Sequence, residues 1–225
     1  MAIKTVEIWA DSFHEGVWCC DNICSYLRPR GYICTLSFAN GFIPMYQVFE
    51  SGNQIAEFYV YGSYKIWTPM PQTIKDLIEW GKPDFIAYDP TNDEIWFAVE
   101  ETAAVPTGNQ AMQRCERQYG SARAQIPYWY FVSEFGEHVD GGVRRDNIWP
   151  TIAAMKLTLT KKIPSIVLHY SDIDSVEDYN SGKGLALLFD TLSRIVDNKI
   201  HSKSKFDGIK DLIAQRKHSR KYVRR

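Results

Sequence analysis

The sequence predicts an α/β fold in which a mixed central sheet is flanked by helices. Its 225 residues are 45% hydrophobic and 14% aromatic, which is enough to pack the core of one domain. Segments rich in aromatic and β-branched residues alternate with segments whose apolar residues recur at helical spacing. In the middle of the chain, a two-strand hairpin is followed by a helix and an apolar strand. This order is typical of a mixed sheet.

The first third of the chain predicts a strand, a helix and an antiparallel meander. Residues 4–10 form the opening strand. Residues 12–15, Ser-Phe-His-Glu, are a capping-box pattern that begins a helix, and Gly31 ends it. Residues 32–68 are rich in aromatic and β-branched types and contain turn signals such as Asn40-Gly41, so we expect an antiparallel meander there.

Periodicity and turn residues predict the remaining elements. We expect a short helix at Thr73–Trp80, strands at Pro83–Asp89 and Ile95–Thr102, a helix at Asn109–Ala124, a strand at Pro127–Val132, a helix at Ile148–Leu157, a strand at Ile163–Tyr170 and a helix at Leu185–Val196. Residues 90–94, Pro-Thr-Asn-Asp-Glu, have a turn composition and close the first two strands into a hairpin. The strand at Pro127–Val132 is almost wholly aromatic and apolar, which favours burial on both faces beside parallel neighbours.

Charge and composition indicate one domain with a basic tail. Residues 1–200 contain no internal repeat and no linker rich in Pro, Gly or Ser, so we predict a single domain there. Residues 201–225 hold nine Lys or Arg against Asp207 and Asp211, and this basic tail either contacts a polyanion or is simply solvated. No apolar run approaches the roughly 18 to 20 residues of a membrane span. We therefore expect a cytoplasmic protein without a membrane segment.

The five cysteines give no sign of a disulfide framework or a zinc site. Their number is odd, and no two of them form a Cys-x-x-Cys pair. They are Cys19, Cys20, Cys24, Cys34 and Cys115. We expect them to be reduced thiols that pack in the core.

The hairpin brings two acidic residues together. If Asp89 pairs with Ile95 across the turn, Asp84 lies directly opposite Glu100. Side chains alternate along a strand, so one face of the hairpin is predicted to carry Asp84, Ile86, Tyr88, Trp96, Ala98, Glu100 and Thr102. Opposed like charges destabilise a sheet unless a cation lies between them, and Mg²⁺ suits such a gap. The alternative is that Asp84 merely opens its strand and that Glu100 and Glu101 are solvated.

The helix after the hairpin carries a polar stripe. Asn109 is a good N-cap, and the stripe at helical spacing consists of Gln110, Gln113, Arg114, Arg117 and Ser121. The opposite side, predicted to pack, consists of Met112, Cys115, Tyr119 and Ala122. Arg binds phosphate in a bidentate manner, so Gln113, Arg114 and Arg117 are predicted to face a nucleic acid. An ordinary solvated helix face is the alternative.

A second group of candidate nucleic-acid ligands lies further along the chain. Arg144 and Arg145 follow a Gly-rich segment, Glu137-His138-Val139-Asp140-Gly141-Gly142, that predicts a loop. They are candidates for contacts with DNA. An unspecialised surface loop explains the pattern equally well.

The arrangement Pro83-Asp84, a hairpin, Glu100-Glu101-Thr102, a helix rich in Gln and Arg and then an apolar strand resembles the PD-(D/E)xK nuclease superfamily, and within it the restriction endonuclease-like enzymes. The resemblance covers residues 73–133. It implies an αβββαβ core within a nuclease-like domain at residues 1–200. By the family pattern, Asp84 and Glu100 would bind Mg²⁺. The implied function is Mg²⁺-dependent hydrolysis of DNA phosphodiester bonds by a bacterial or phage restriction or defence nuclease, acting on double-stranded DNA as a homodimer.

The sequence departs from the family pattern at Thr102, which stands where the family carries a catalytic Lys. Lys82, two residues before Asp84, could supply the missing charge, and Glu101 and Gln110 are other ways to complete the site. Glu101 is also an alternative metal ligand, although it would face away from Asp84. The first predicted helix could add one more acid, Glu15. Because of this departure, a nuclease-like fold that has lost its chemistry and binds nucleic acid or a partner protein is the alternative function.

Overall fold

The computed structural model describes residues 2–62, 70–102, 109–132, 135–137, 143–145, 153–154, 156–158, 160–161, 165–169 and 185–202. Most of the predicted helix at 148–157 and nearly all of the basic tail at 201–225 lie outside these residues. None of the described helices is long and apolar enough to cross a membrane.

The centre of the fold is an eight-stranded mixed sheet. Its strands are β1 (Lys4–Ala10), β2 (Tyr32–Ala39), β3 (Ile43–Glu50), β4 (Asn53–Tyr61), β5 (Phe85–Asp89), β6 (Glu94–Thr102), β7 (Tyr128–Val132) and β10 (Ser165–His169). They lie in the order β10-β7-β6-β5-β1-β4-β3-β2. A separate two-stranded sheet contains β8 (Phe135–Glu137) and β9 (Val143–Arg145). The predicted α/β class with a mixed central sheet is confirmed.

Helices lie against both faces of the sheet. They are α1 (Phe13–Leu27), α2 (Gln72–Ile78), α3 (Asn109–Ala124) and α4 (Leu185–Ile200), and a short 3₁₀ turn (Arg28–Arg30) follows α1. The Ser12 hydroxyl caps α1 by accepting a hydrogen bond from the Glu15 N–H at 3.2 Å, as the capping-box pattern predicted. The 3₁₀ turn ends at Gly31, whose φ of 93° is the left-handed conformation that favours glycine.

The antiparallel pairing of β2 to β4 and the parallel pairing around β7 both agree with the predictions from the sequence. The chain from β2 to β4 is an antiparallel meander, as expected from its turn signals. Strand β7 lies between β6 and β10 and runs parallel to both of them. An almost wholly apolar strand has no face suited to water, so this interior position is the one that buries it completely.

The core has one cluster on each face of the sheet. The first cluster joins the strands to α1 and α4 through residues that include Ile8, Ile23, Phe97, Leu188 and Leu192. The second cluster joins the strands to α2 through residues that include Ile74, Leu77, Ile86, Ala98 and Tyr128. All five cysteines are free thiols, and Cys19, Cys20 and Cys24 are buried in the first cluster.

The β5–β6 hairpin contains a bulge that the sequence analysis did not foresee. The predicted pairing of Asp89 with Ile95 is wrong, because Asp89 pairs with Glu94. One extra residue, Trp96, bulges from β6, and beyond it the two strands return to the predicted register. Trp96 consequently packs in the first cluster and not on the same face as Ala98, contrary to the prediction.

Candidate functional site

Asp84 and Glu100 lie beside each other where β5 begins and β6 approaches its end. Strand β5 begins at Phe85, so Asp84 precedes the strand that was predicted to contain it. The Asp84 N–H donates to the Val99 carbonyl at 2.9 Å. The Asp84 carboxylate accepts a hydrogen bond from the Glu101 N–H at 2.6 Å. These two contacts hold the carboxylate of Asp84 against β6 next to Glu100.

Glu100 is a buried carboxylate held by two arginines of α3. Its side chain is 1% exposed. Arg117 forms an ion pair with one carboxylate oxygen, and Arg114 lies 3.3 Å from the other. The aliphatic part of Arg117 crosses the backbone at Gly81, where a Cβ atom would come within 2.6 Å of the Arg117 Cγ. The absence of a side chain at Gly81 therefore lets Arg117 reach Glu100.

The pKa values of both acids are raised, mainly because the carboxyl groups are removed from water. Burial raises the pKa of Asp84 to about 8, the charge of Glu100 adds to this increase, and the hydrogen bond from the Glu101 N–H opposes it. The charges of Glu101 and Glu15 raise the pKa of Asp84 further. Burial also raises the pKa of Glu100, although Arg117 and Arg114 oppose this shift. Asp84 is therefore largely protonated at neutral pH unless a further cation joins the site.

Two buried oxygen atoms near the acids have no hydrogen-bond partner among the described residues. The Tyr128 hydroxyl lies in a fully buried side chain, and burial raises its pKa, with the charges of Glu100 and Asp84 adding to the effect. The second atom is Oε2 of Glu15 in the first turn of α1. Glu15 therefore approaches Asp84 as the sequence suggested. Sequence analysis did not single out Tyr128, because β7 carries two tyrosine hydroxyls, Tyr128 and Tyr130, and no pattern distinguishes them.

Helix α3 turns much of its polar side towards the sheet, which corrects the predicted orientation in part. Met112 and Tyr119, expected to pack, are exposed, whereas Ala122 is fully buried as predicted. Ser121 is fully buried, and the side chains of Arg114 and Arg117 are only 22% and 26% exposed. The arginines therefore neutralise Glu100 first, and only their exposed parts can reach a ligand.

Three other predicted site residues are placed at least in part by the described structure. Lys82 is exposed and precedes β5 without belonging to a strand, so it does not share a strand face with Asp84 as predicted. Gln113 is exposed on α3. Thr102 ends β6, opposite Val132 of β7. The side chain of Thr102 lies outside the described part of the structure.

For the three remaining predicted site residues, the structure describes the position of the backbone only. Gln110 lies in the first turn of α3, and Arg144 and Arg145 belong to β9, where a loop was predicted. In β9 they pair with Gly136 and Phe135 of β8. The side chains of all three candidates lie outside the described part of the structure. None of them is brought to the acidic pair by any described contact.

The donor atoms at the acidic pair suit a divalent cation that keeps most of its water. Among the described residues, no three His, Cys, Asp or Glu side chains form a group that could hold a metal ion by itself. Mg²⁺ usually takes only one or two carboxylates and completes its shell with water and phosphate oxygens. Burial is the main cause of the raised pKa of Asp84 and the charge of Glu100 the next, and a bound cation would favour the ionised form of both acids. Asp84 and Glu100 therefore fit Mg²⁺, provided that Glu100 shares its oxygens with the arginines.

Comparison with known proteins adds no assignment. A scan of protein-family models and searches of curated proteins and of solved structures found no match to this chain.

Proposed function

We propose that the protein is a Mg²⁺-dependent endonuclease that hydrolyses phosphodiester bonds of double-stranded DNA, similar to bacterial or phage restriction and defence nucleases. The proposal includes a restriction endonuclease-like αβββαβ core. The observation that carries it is the pair formed by half-buried Asp84 and buried Glu100, in which the pKa of Asp84 is raised to about 8 by burial and by the neighbouring acids. Acids whose pKa is strongly shifted by burial and by charged neighbours cluster at reactive sites.

Asp84 and Glu100 would hold the metal ion in this mechanism. When bound, Mg²⁺ acts as a Lewis acid at the phosphate and lowers the pKa of its water. The Glu101 N–H fixes the orientation of the Asp84 carboxylate through its 2.6 Å hydrogen bond. The threonine side chain of Thr102 cannot supply the positive charge of the family's Lys. Lys82 is the proposed source of that charge, and Glu101 and Gln110 are the proposed other ways to complete the site.

The arginines of α3 would bind the phosphate. Arg114 and Arg117 already lie at the acidic pair, and each retains an exposed fraction of its side chain. A phosphate that approaches Glu100 would accept hydrogen bonds from these guanidinium groups, which then neutralise the charge that develops on the phosphorus oxygens. Gln113 on the same helix, and Arg144 and Arg145 on β9, are proposed to contact the DNA backbone further from the reacting group.

Cleavage of mixed plasmid and phage DNA tests the proposal. Wild type, Asp84→Asn and Glu100→Gln are incubated with Mg²⁺ or with EDTA, and the ends of any fragments are sequenced. We expect Mg²⁺-dependent fragments with 5′-phosphate ends from the wild type and at least a hundredfold lower rate, on the order of 3 kcal/mol, from both variants. Asp89→Asn, at the far end of β5, is the matched control that should still cleave. Cleavage by both site variants at the wild-type rate would refute the proposal.

A specific observation favours a second function, namely a nuclease-like protein that binds nucleic acid or a partner protein without cutting. Both oxygens of Glu100 are already engaged by arginines, and Thr102 occupies the position of the family's Lys. A binder of this kind would shift DNA in EDTA and leave it intact with Mg²⁺. Arg114→Met and Arg117→Met should then weaken the shift, whereas Asp84→Asn should not.

A further inference from the structure

Strand β2 is an outer strand of the sheet and lacks the usual protection of such strands. Among the described residues it pairs with β3 alone, and the ladder of eight residue pairs runs without a bulge. Its sequence, Tyr-Ile-Cys-Thr-Leu-Ser-Phe-Ala, contains neither a charged residue nor a proline. Natural edge strands usually carry charges, Pro or bulges that prevent another strand from pairing with them. Within the described part of the chain, the outer backbone N–H and C=O groups of β2 are therefore open to another strand.

Large apolar side chains surround this edge and are exposed to solvent. Ile33 is 61%, Leu36 50% and Phe38 64% exposed, and Phe42 in the turn after β2 is 88% exposed. Together these four side chains present roughly 500 Å² of apolar surface in one copy of the chain. Ile33 lies on one face of the sheet and Leu36 and Phe38 on the other, so pairing at this edge would bury part of the apolar surface on both faces.

We propose that β2 pairs antiparallel with β2 of a second copy of this chain, which joins the two sheets into one. The open row of backbone groups requires an extended strand as its partner, and an identical strand related by a twofold axis closes both edges at once. Opposed residues of an antiparallel pair lie on the same face, so an axis at Leu36 places Leu36 beside its own copy and Cys34 beside Phe38. All of these pairs are uncharged.

The charges around β2 permit this arrangement. Arg30 precedes the strand, and the next charged residue along the chain is Glu50 at the end of β3. In the antiparallel pair, Arg30 approaches the partner's turn at residues 40–42, which is uncharged. The pairing therefore brings no like charges together, and it does not depend on the proposed nuclease activity.

The test is the mass of the full chain in solution, measured by light scattering after size-exclusion chromatography over a range of micromolar concentrations. We expect the wild type to elute with twice the monomer mass of 26.0 kDa. Leu36→Lys and Phe38→Lys place two charges at the join and should raise the dissociation constant of the dimer at least about tenfold, with unchanged circular dichroism. Met112→Lys is the matched control, since Met112 is 54% exposed on α3, and it should stay dimeric.

Either of two results would overturn the proposal. One is a wild type of monomer mass at every concentration, which would leave the edge to another partner or to solvent. The other is a dimer that persists in both Leu36→Lys and Phe38→Lys, which would place the interface elsewhere on the molecule.

Discussion

Replacement of Asp84 by Asn should change how the stability of the protein depends on pH. The carboxylate of Asp84 accepts the Glu101 N–H at 2.6 Å, and the amide oxygen of Asn can accept the same hydrogen bond. The substitution therefore preserves shape and this contact while it removes a titrating charge. In metal-free buffer, any change in pH dependence comes from the charge of Asp84 and from its effect on Glu100.

The raised pKa of Asp84 determines the sign and the size of its effect on the free energy of unfolding. The pKa of Asp84 is about 8 in the folded protein, whereas the carboxyl group of an unfolded chain titrates near pH 4. Between these values the folded state binds a proton that the unfolded state does not. Asp84 therefore contributes stability below about pH 4 that is lost as pH rises through 8. The stability falls by at most about 1.4 kcal/mol per pH unit. Between pH 5 and pH 8 the total loss is about 3 kcal/mol.

Urea denaturation in EDTA, followed by tryptophan fluorescence, measures this loss. The free energy of unfolding of Asp84→Asn should exceed that of the wild type by an amount that grows by about 3 kcal/mol from pH 5 to pH 8. Asp89→Asn is the control. Burial opposes ionisation of Asp89, but hydrogen bonds from Asn92 and the charge of Lys4 lower its pKa, so its titration lies below this range. Parallel curves for wild type and Asp84→Asn would refute the reasoning.

Three further substitutions test the packing around the site by urea denaturation. Arg117→Met leaves the buried Glu100 with Arg114 alone and should cost about 2–4 kcal/mol, most of which Glu100→Gln should restore in the double variant. Gly120→Ala should cost about 1–2 kcal/mol despite its better helix propensity, because the new Cβ would lie 2.1 Å from the Trp80 Cβ, which cannot swing away. Tyr32→Phe removes a hydroxyl bonded to two side chains at the end of α4 and should cost about 1–2 kcal/mol.

The order of elements was predictable because local pattern and burial agreed. The apolar strand β7 lacks a polar face, so its interior position between parallel neighbours followed from composition. The bulge at Trp96 was not predictable, because a large apolar residue can pack on either face and no Gly marks the site. Asp84 and Glu100 lie beside each other as predicted, although the pairing assumed for Asp89 was wrong. The bulge shifts the register by one residue and so cancels that error.

The orientation of α3 shows where sequence reasoning failed at the site. Apolar residues were expected to face the sheet, but Glu100 is 1% exposed there and needs a positive partner. A buried carboxylate without such a partner costs several kcal/mol, whereas leaving Met112 and Tyr119 about half exposed costs roughly 1 kcal/mol each. The ion pairs therefore decide which side of α3 packs. That choice depends on the burial of Glu100, which no periodicity within α3 reveals.

The proposed dimer and the proposed nuclease together constrain how DNA could be cut. From β5 of one copy to β5 of the other there are nine intervals between strands, or about 43 Å along the joined sheet. A twist of roughly 20° per strand accumulates to about half a turn over this span, so the two acidic pairs face opposite sides. One short duplex cannot contact both sites, so each copy would act on its own DNA. Leu36→Lys should then weaken the dimer and leave the nicking rate of supercoiled plasmid per site unchanged. A fall in nicking that matches the loss of dimer would mean that the two sites act on one duplex through a different arrangement.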